Sequence, residues 1–259
     1  MNVKSKFDDD GLISLSLGPQ FLKKFKAKVF NFPEYHNKLM ALSGDAFYKQ
    51  VLLLQKKFND SDLIVKFCSD NKSLLTELCG SQMFSYSGSG FLRVVRPNVK
   101  HNGQKADEFL GFHREVFYGT SDYVKKQINI HIPIFNYNAL TAMKYVPASH
   151  LIADEDLLLE TLNEGENGIV RGNLQHLNGL MYAPKKIVSG CDMTAVIPFD
   201  LKIGEAVVFK SDLIHGAGVN TTDQVRVSLD FAVIPTASVP ENENFQIASS
   251  DGIKYIPYR

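Results

Sequence analysis

The chain has 259 residues, 44% of them apolar, and its 28 basic and 28 acidic side chains balance at neutral pH. That length supports one sizeable core, and the balanced charge argues against a nucleic-acid partner or an anionic membrane surface. Cys68, Cys79 and Cys191 are odd in number and form no CxxC pair, which disfavours a disulfide framework or a zinc–thiolate site and fits a reducing cytoplasm.

The N-terminal MNVKSKFDDDGL lacks the apolar stretch of a signal peptide, and no apolar run reaches the roughly 18 residues of a membrane span, so a soluble protein is expected. From about Asn31 to Leu78, apolar residues recur at helical spacing, broken at Ser43-Gly44-Asp45 and Asn59-Asp60-Ser61. Two or three helices are predicted there. After Gly80 the chain turns to short segments rich in aromatic and β-branched residues: Ser81 to Tyr86, Phe91 to Arg96, Gly111 to Tyr118 and Val124 to Phe135. These predict strands.

In Gln127-Ile128-Asn129-Ile130-His131-Ile132, alternation puts the isoleucines on one face and Gln127, Asn129 and His131 on the other. On alternation alone, the polar face lines a site or meets solvent with equal justification. A helix is predicted at Asp154 to Leu159, then a long loop or lid over Asn163 to Gly190. Strand signals resume at Thr194 to Pro198, Ala206 to Lys210 and Val225 to Ile234.

Chemistry concentrates in two places. In Phe112-His113-Arg114-Glu115, a strand would point His113 and Glu115 to one face, where an imidazole and a carboxylate suit ferrous iron. Chance alone supplies about 0.8 such His-x-acid triplets in this composition, so the triplet by itself decides little. The second is Ile214-His215-Gly216 to Val225-Arg226-Val227-Ser228, which reads as a hairpin with His215 ending one strand and Arg226 and Ser228 on one face of the next. A histidine followed by arginine at this spacing is expected about 0.2 times by chance.

Two histidines and one carboxylate leave metal positions open, as in the facial triad of non-haem Fe(II) oxygenases. A chelating dicarboxylate such as 2-oxoglutarate then needs a cationic fork and a hydroxyl for its far end, for which Arg226 and Ser228 are suited. His131 is a rival ligand. Arg93, Gln127 and Asn129 are candidates for orienting co-substrate or substrate, with Arg96 a weaker one, and His150 reads as structural.

Four motifs in order resemble the phytanoyl-CoA dioxygenase-like family of Fe(II)/2-oxoglutarate oxygenases over about Phe91 to Pro235: the His113-x-Glu115 pair, Tyr145-Val146-Pro147-Ala148-Ser149-His150, Leu201 to Phe209, and His215-Gly216-Ala217-Gly218-Val219-Asn220. Glu115 stands where most members carry Asp, Ala148 where they carry Gly, and Ala217 where they often carry Ser. The resemblance implies a mainly β fold with flanking helices, a cupin-like double-stranded β-helix or jelly roll. It implies one domain over 1–259, with a helical part at about 20–80, a jelly-roll core at about 81–240 and a lid at about 151–192. It also implies Fe(II), 2-oxoglutarate and O2 as cofactor and co-substrates, metal ligation by His113, Glu115 and His215, and hydroxylation of a small-molecule C–H bond coupled to formation of succinate. The polar residues of the lid lean toward a small, polar metabolite or sugar derivative. Rival readings are another metal-dependent cupin-type enzyme, which leaves Arg226 without a role, and a non-catalytic jelly roll that binds carbohydrate or a partner.

Overall fold

The computed structural model describes residues 2–31, 34–81, 83–97, 112–118, 123–161, 174–178, 185–239 and 254–259. The chain opens with α1 (Val3–Asp10), whose Asn2 side chain accepts from the Ser5 amide as N-cap. Next come β1 (Leu12–Ser16), α2 (Pro19–Lys28), α3 (Glu34–Ala41), α4 (Gly44–Asn59), α5 (Leu63–Asp70) and α6 (Lys72–Cys79). In α4 the buried residues Phe47, Val51, Leu54 and Phe58 return every three or four positions, which turns one stripe inward. The rest of the described chain is strand-rich: β2 (Phe84–Ser87), β3 (Phe91–Val95), β4 (Ile128–Phe135), β5 (Lys144–Tyr145), β6 (Leu158–Thr161), the short α7 (Leu174–Leu177), β7 (Lys185–Ser189), β8 (Ile197–Pro198), β9 (Glu205–Lys210), β10 (His215–Gly216), β11 (Arg226–Pro235) and β12 (Tyr255–Pro257).

The major sheet runs β1-β9-β4-β11 with antiparallel pairing. On the far side of β11, β3 pairs with its first half and β2 with its second, and β12 lies outside β2. A second antiparallel sheet runs β10-β5-β8, and His113 joins its β10 edge through a single bridge to His215. The two sheets form a jelly roll with helices packed outside the larger one.

Alternation along β11 explains the layering. Val227, Leu229, Phe231 and Val233 join the main core with Ile128, Ile130 and Ile132 of β4 and the helices, and Phe231 meets Phe67 of α5 edge-on at 5.2 Å. The intervening Arg226, Ser228, Asp230 and Ala232 face a cavity. Between the sheets, Val207 and Phe209 of β9 pack with Met143, Phe199, Leu201 and Leu213. Pro133 cannot donate to the ladder of this central strand, and the β4–β11 register slips by one residue beside it.

Several sequence expectations change. The 111–118 segment is not a strand where described: His113 makes one bridge and a 3-10 turn begins at Glu115. The helix expected at 154–159 is a 3-10 turn, Asp154–Asp156, leading into β6, because pairing with β7 outweighs whatever helical propensity the three leucines carry. His215 and Arg226 do not belong to one hairpin. β10 and β11 lie in different sheets, and the segment between them crosses the jelly roll. Gly218 in that crossing lies so close to the Ala142 carbonyl that a Cβ would fall 2.1 Å from its oxygen. The expected lid at 163–190 is described only at 174–178 and 185–190, which hold α7 and β7; the remainder lies outside the described residues.

Candidate metal centre and co-substrate cavity

His113 and His215 exchange both backbone hydrogen bonds, at 2.9 and 3.0 Å, so their side chains leave adjacent segments side by side with ring centroids 4.5 Å apart. The Glu115 amide donates to the Ser211 carbonyl, and the following 3-10 turn carries its carboxylate back toward the two rings. Glu115 Oε1 lies 3.3 Å from His215 Nε2 and 3.7 Å from His113 Nε2. One ligand-capable atom from each residue lies within 4.8 Å of the others, close enough for a single ion. His215 Nδ1 donates to the Leu213 carbonyl at 2.9 Å, which keeps the proton off Nε2 and leaves that lone pair for a metal. Burial pushes the Glu115 carboxyl up, but the two imidazoles beside it outweigh burial and hold it below the usual carboxylate range.

Convergence thus arises from a bridge plus a tight turn, not from the i, i+2 pleat of a strand. Arg114, between the two, is 1% exposed and serves as a clamp. It donates to the Ser149 and Ile152 carbonyls at 2.6 and 2.8 Å and to Asp154 at 2.6 Å. Ser149 Oγ in turn accepts from the Ile214 amide at 2.8 Å. The Pro147-Ala148-Ser149-His150 turn therefore ties the segment bearing His113 and Glu115 to the one bearing His215. His150 donates from Nε2 to the Asp8 carbonyl at 3.0 Å, a structural contact as the sequence suggested. Ala148, at φ 56°, occupies the left-handed region that favours glycine.

The centre opens on a cavity whose empty space, the open solvent at its mouth included, is about 1120 Å³. Arg226 and Ser228 line it from β11, both buried. Among the described residues Ser228 Oγ has no hydrogen-bond partner, as expected of a group reserved for a ligand. Gln127, Asn129 and His131 are buried in its wall, so the solvent alternative for that face of β4 does not hold. Tyr255 donates to Gln127 Oε1 at 2.9 Å, Gln127 donates to Asn129 Oδ1 at 2.6 Å, and Asn129 Nδ2 is left without a partner among the described residues. His131 is not brought into the metal cluster; its Nδ1 meets Asp230 Oδ1 at 2.6 Å. Arg93 lines the cavity but gives its Nε to Asp230 at 2.8 Å, whereas Arg96 stacks on Phe47 and donates to the Leu42 carbonyl. Arg114, Asp230 and Tyr255 escaped the sequence reading. Only Asp230 carried a signal there, since it extends the 226, 228 alternation by one step.

Fold and site together define the class: a jelly-roll protein whose two imidazoles and one carboxylate can hold a divalent metal with positions left open, beside a buried cationic end, as non-haem iron oxygenases are built. The family model for phytanoyl-CoA dioxygenase (PhyH) matches residues 75–228, more than half of the chain. The protein belongs to that family, and so to the non-haem iron and 2-oxoglutarate-dependent enzymes. No curated protein matches the chain. Among solved structures it is similar to the epimerase SnoN in complex with Fe3+, α-ketoglutarate and nogalamycin RO, at 13% identity and TM-score 0.57 over 99% of this chain and 97% of that one. It is also similar to apo ThoJ, a non-haem monooxygenase, at 16% identity and TM-score 0.56 over 98% and 85%. A third is EvdO2 from Micromonospora carbonacea var. aurantiaca complexed with 2-oxoglutarate, at 12% identity and TM-score 0.56 over 91% of each chain. At these identities the likeness is one of fold.

Proposed function

We propose that the protein is a cytoplasmic hydroxylase that oxidises a C–H bond of a small, polar metabolite or sugar derivative while 2-oxoglutarate is decarboxylated to succinate. The observation that carries this reading is the pairing of the His113–Glu115–His215 cluster with Arg226 and the partnerless Ser228 hydroxyl in one cavity. His113, Glu115 and His215 would hold the iron. Bound together, iron, 2-oxoglutarate and dioxygen supply the oxidising power for an unactivated C–H bond.

The chain's own residues supply position and exclusion. Arg226 and Ser228 receive the distal carboxylate, a cationic fork beside a hydroxyl donor, and fix how far the co-substrate reaches toward the metal. Glu115 stays ionised and so remains a ligand at neutral pH. Gln127 and Asn129 present an amide donor whose direction is set by Tyr255, suited to an oxygen of co-substrate or substrate. Arg93 contributes charge to the same wall. The aromatic side of the cavity, Phe47, Tyr48 and Phe91, suits the C–H face of a ring or chain and limits water. The free thiols of Cys68, Cys79 and Cys191 suit a reducing compartment, and among the described residues no helix is long and apolar enough to cross a membrane.

Anaerobic titration with Fe(II) and then 2-oxoglutarate tests the reading, because joint chelation produces a visible charge-transfer band. Arg226→Ala is expected to weaken 2-oxoglutarate binding at least tenfold, the scale of one lost charge-assisted pair. Absence of the band, or unchanged affinity in Arg226→Ala, would sink it.

A further inference from the structure

The polar groups of the cavity extend beyond the metal cluster and the Arg226–Ser228 pair. Across the β4–β11 ladder His131 faces Asp230, while Pro133 faces Ser228, so His131 is the diagonal neighbour of Ser228. Its side chain is 1% exposed and lines the cavity. His131 Nδ1 lies 2.6 Å from Asp230 Oδ1, and Asp230 Oδ2 accepts from Arg93 Nε at 2.8 Å. Burial pushes the Asp230 carboxyl up, but His131 and Arg93 outweigh it and hold the group below the usual carboxylate range. An ionised carboxylate only accepts, so the proton is on His131 Nδ1. Among the described residues His131 Nε2 has no hydrogen-bond partner, and in a neutral imidazole it is a bare lone pair buried at the cavity wall.

A lone pair is the wrong group to offer a dicarboxylate. A ligand carboxylate docked on Ser228 comes within reach of this diagonal neighbour, whose Cα is on the order of 7–8 Å away. The other neutral tautomer only moves the clash, because it sets the Nδ1 lone pair against an Asp230 oxygen. An imidazolium satisfies both carboxylates with charge-assisted hydrogen bonds.

We propose that His131 is a further co-substrate-binding residue, taking up one proton from solvent as the distal carboxylate of 2-oxoglutarate docks beside Ser228. The inference rests on the reading of Arg226 and Ser228 given above. The charged and titratable groups facing His131 are Asp230 and Arg226 from β11, Arg93 through Asp230 from β3, His215 from β10, and Tyr137, whose ring lies 5.3 Å away and whose burial keeps its phenol protonated. Without ligand, burial pushes the imidazole below its ordinary value and outweighs Asp230, so it is neutral at neutral pH. A second carboxylate opposes that shift. Co-substrate affinity is therefore level at pH values below the free imidazole's range and falls above it, by up to tenfold per pH unit, until the bound imidazolium itself deprotonates.

Calorimetric titration of the Ni(II)-loaded protein at pH 7.5, in two buffers of different ionisation enthalpy, reads this uptake without turnover. At least half a proton should enter with 2-oxoglutarate. None should enter with oxalate, which chelates the same metal but lacks the distal carboxylate, nor with 2-oxoglutarate in His131→Gln. No uptake in the natural protein, equal uptake with oxalate, or equal uptake in His131→Gln overturns the proposal. If His131→Gln does not fold, the two-ligand comparison decides alone. Arg226→Ala separates the two failures: unchanged 2-oxoglutarate affinity there removes the dicarboxylate site itself, whereas weakened binding with no uptake in the natural protein removes only the role of His131.

Discussion

Glu115 is the residue at which the family resemblance and the local backbone meet. Its amide is tied to the Ser211 carbonyl, so the carboxylate reaches the two imidazoles by the length of its side chain and not by backbone adjustment. Aspartate, one methylene shorter, would fall short in this backbone. Glu115→Asp is therefore expected to weaken Ni(II) or Fe(II) binding at least tenfold, and Glu115→Ala to abolish it, each read by direct metal titration. Equal affinity in Glu115→Ala would show that the carboxylate is not a ligand. Ala148 offers the opposite test, a residue whose replacement should help. At φ 56° a Cβ costs about 1–2 kcal/mol, part of which is offset because glycine loses more freedom on folding. Ala148→Gly should gain about 0.5–1 kcal/mol in denaturant unfolding with no change in the slope.

Elements decide whether such residues meet, and here the sequence was legible unevenly. The alternation in 127–132 located β4 and its polar face, because a strand buried on both sides still separates isoleucines from amides. Arg226 and Ser228 were legible from the same period of two. The route bringing His113 and Glu115 together was not, since a bridge followed by a 3-10 turn leaves no periodic trace. Nor was the crossing after His215, where a run of Gly, Asn, Thr and Asp reads as a hairpin turn but the partners of β10 and β11 are distant in sequence. Arg114 had no signal at all: a lone arginine between two polar residues reads as exposed. Its clamp yields a prediction at this scale. Arg114→Met leaves the Ser149 and Ile152 carbonyls without their buried donor and should cost about 3 kcal/mol. It should also weaken metal binding although Arg114 touches no metal. A stability loss with unchanged metal affinity would mean that the Ser149 turn supports the fold without setting the ligand geometry.

At the scale of the whole molecule, the cavity leaves charge and polar groups in suspense until its ligands arrive. Two imidazoles crowd one carboxylate, and Ser228, Asn129 and His131 each hold a buried polar atom with no partner among the described residues. Such groups cost about 1–3 kcal/mol apiece when left unmet, so part of the fold's stability is deferred to binding. The larger sheet, which carries Ser228, Asn129 and His131, also meets the helical core, with β11 contributing to both faces. Ligands that tie β10 to β11 through the metal and the dicarboxylate should thus stabilise the jelly roll as a unit. At about a hundred times its Kd, either ligand adds about 2.7 kcal/mol, and for a chain of this size each kcal/mol raises Tm by about 2–4 °C. Ni(II) alone should raise Tm by about 5–10 °C, and 2-oxoglutarate by a similar further step only when the metal is present, because its chelating end has no other anchor. A full second step without metal would place the dicarboxylate site apart from the His113–Glu115–His215 cluster.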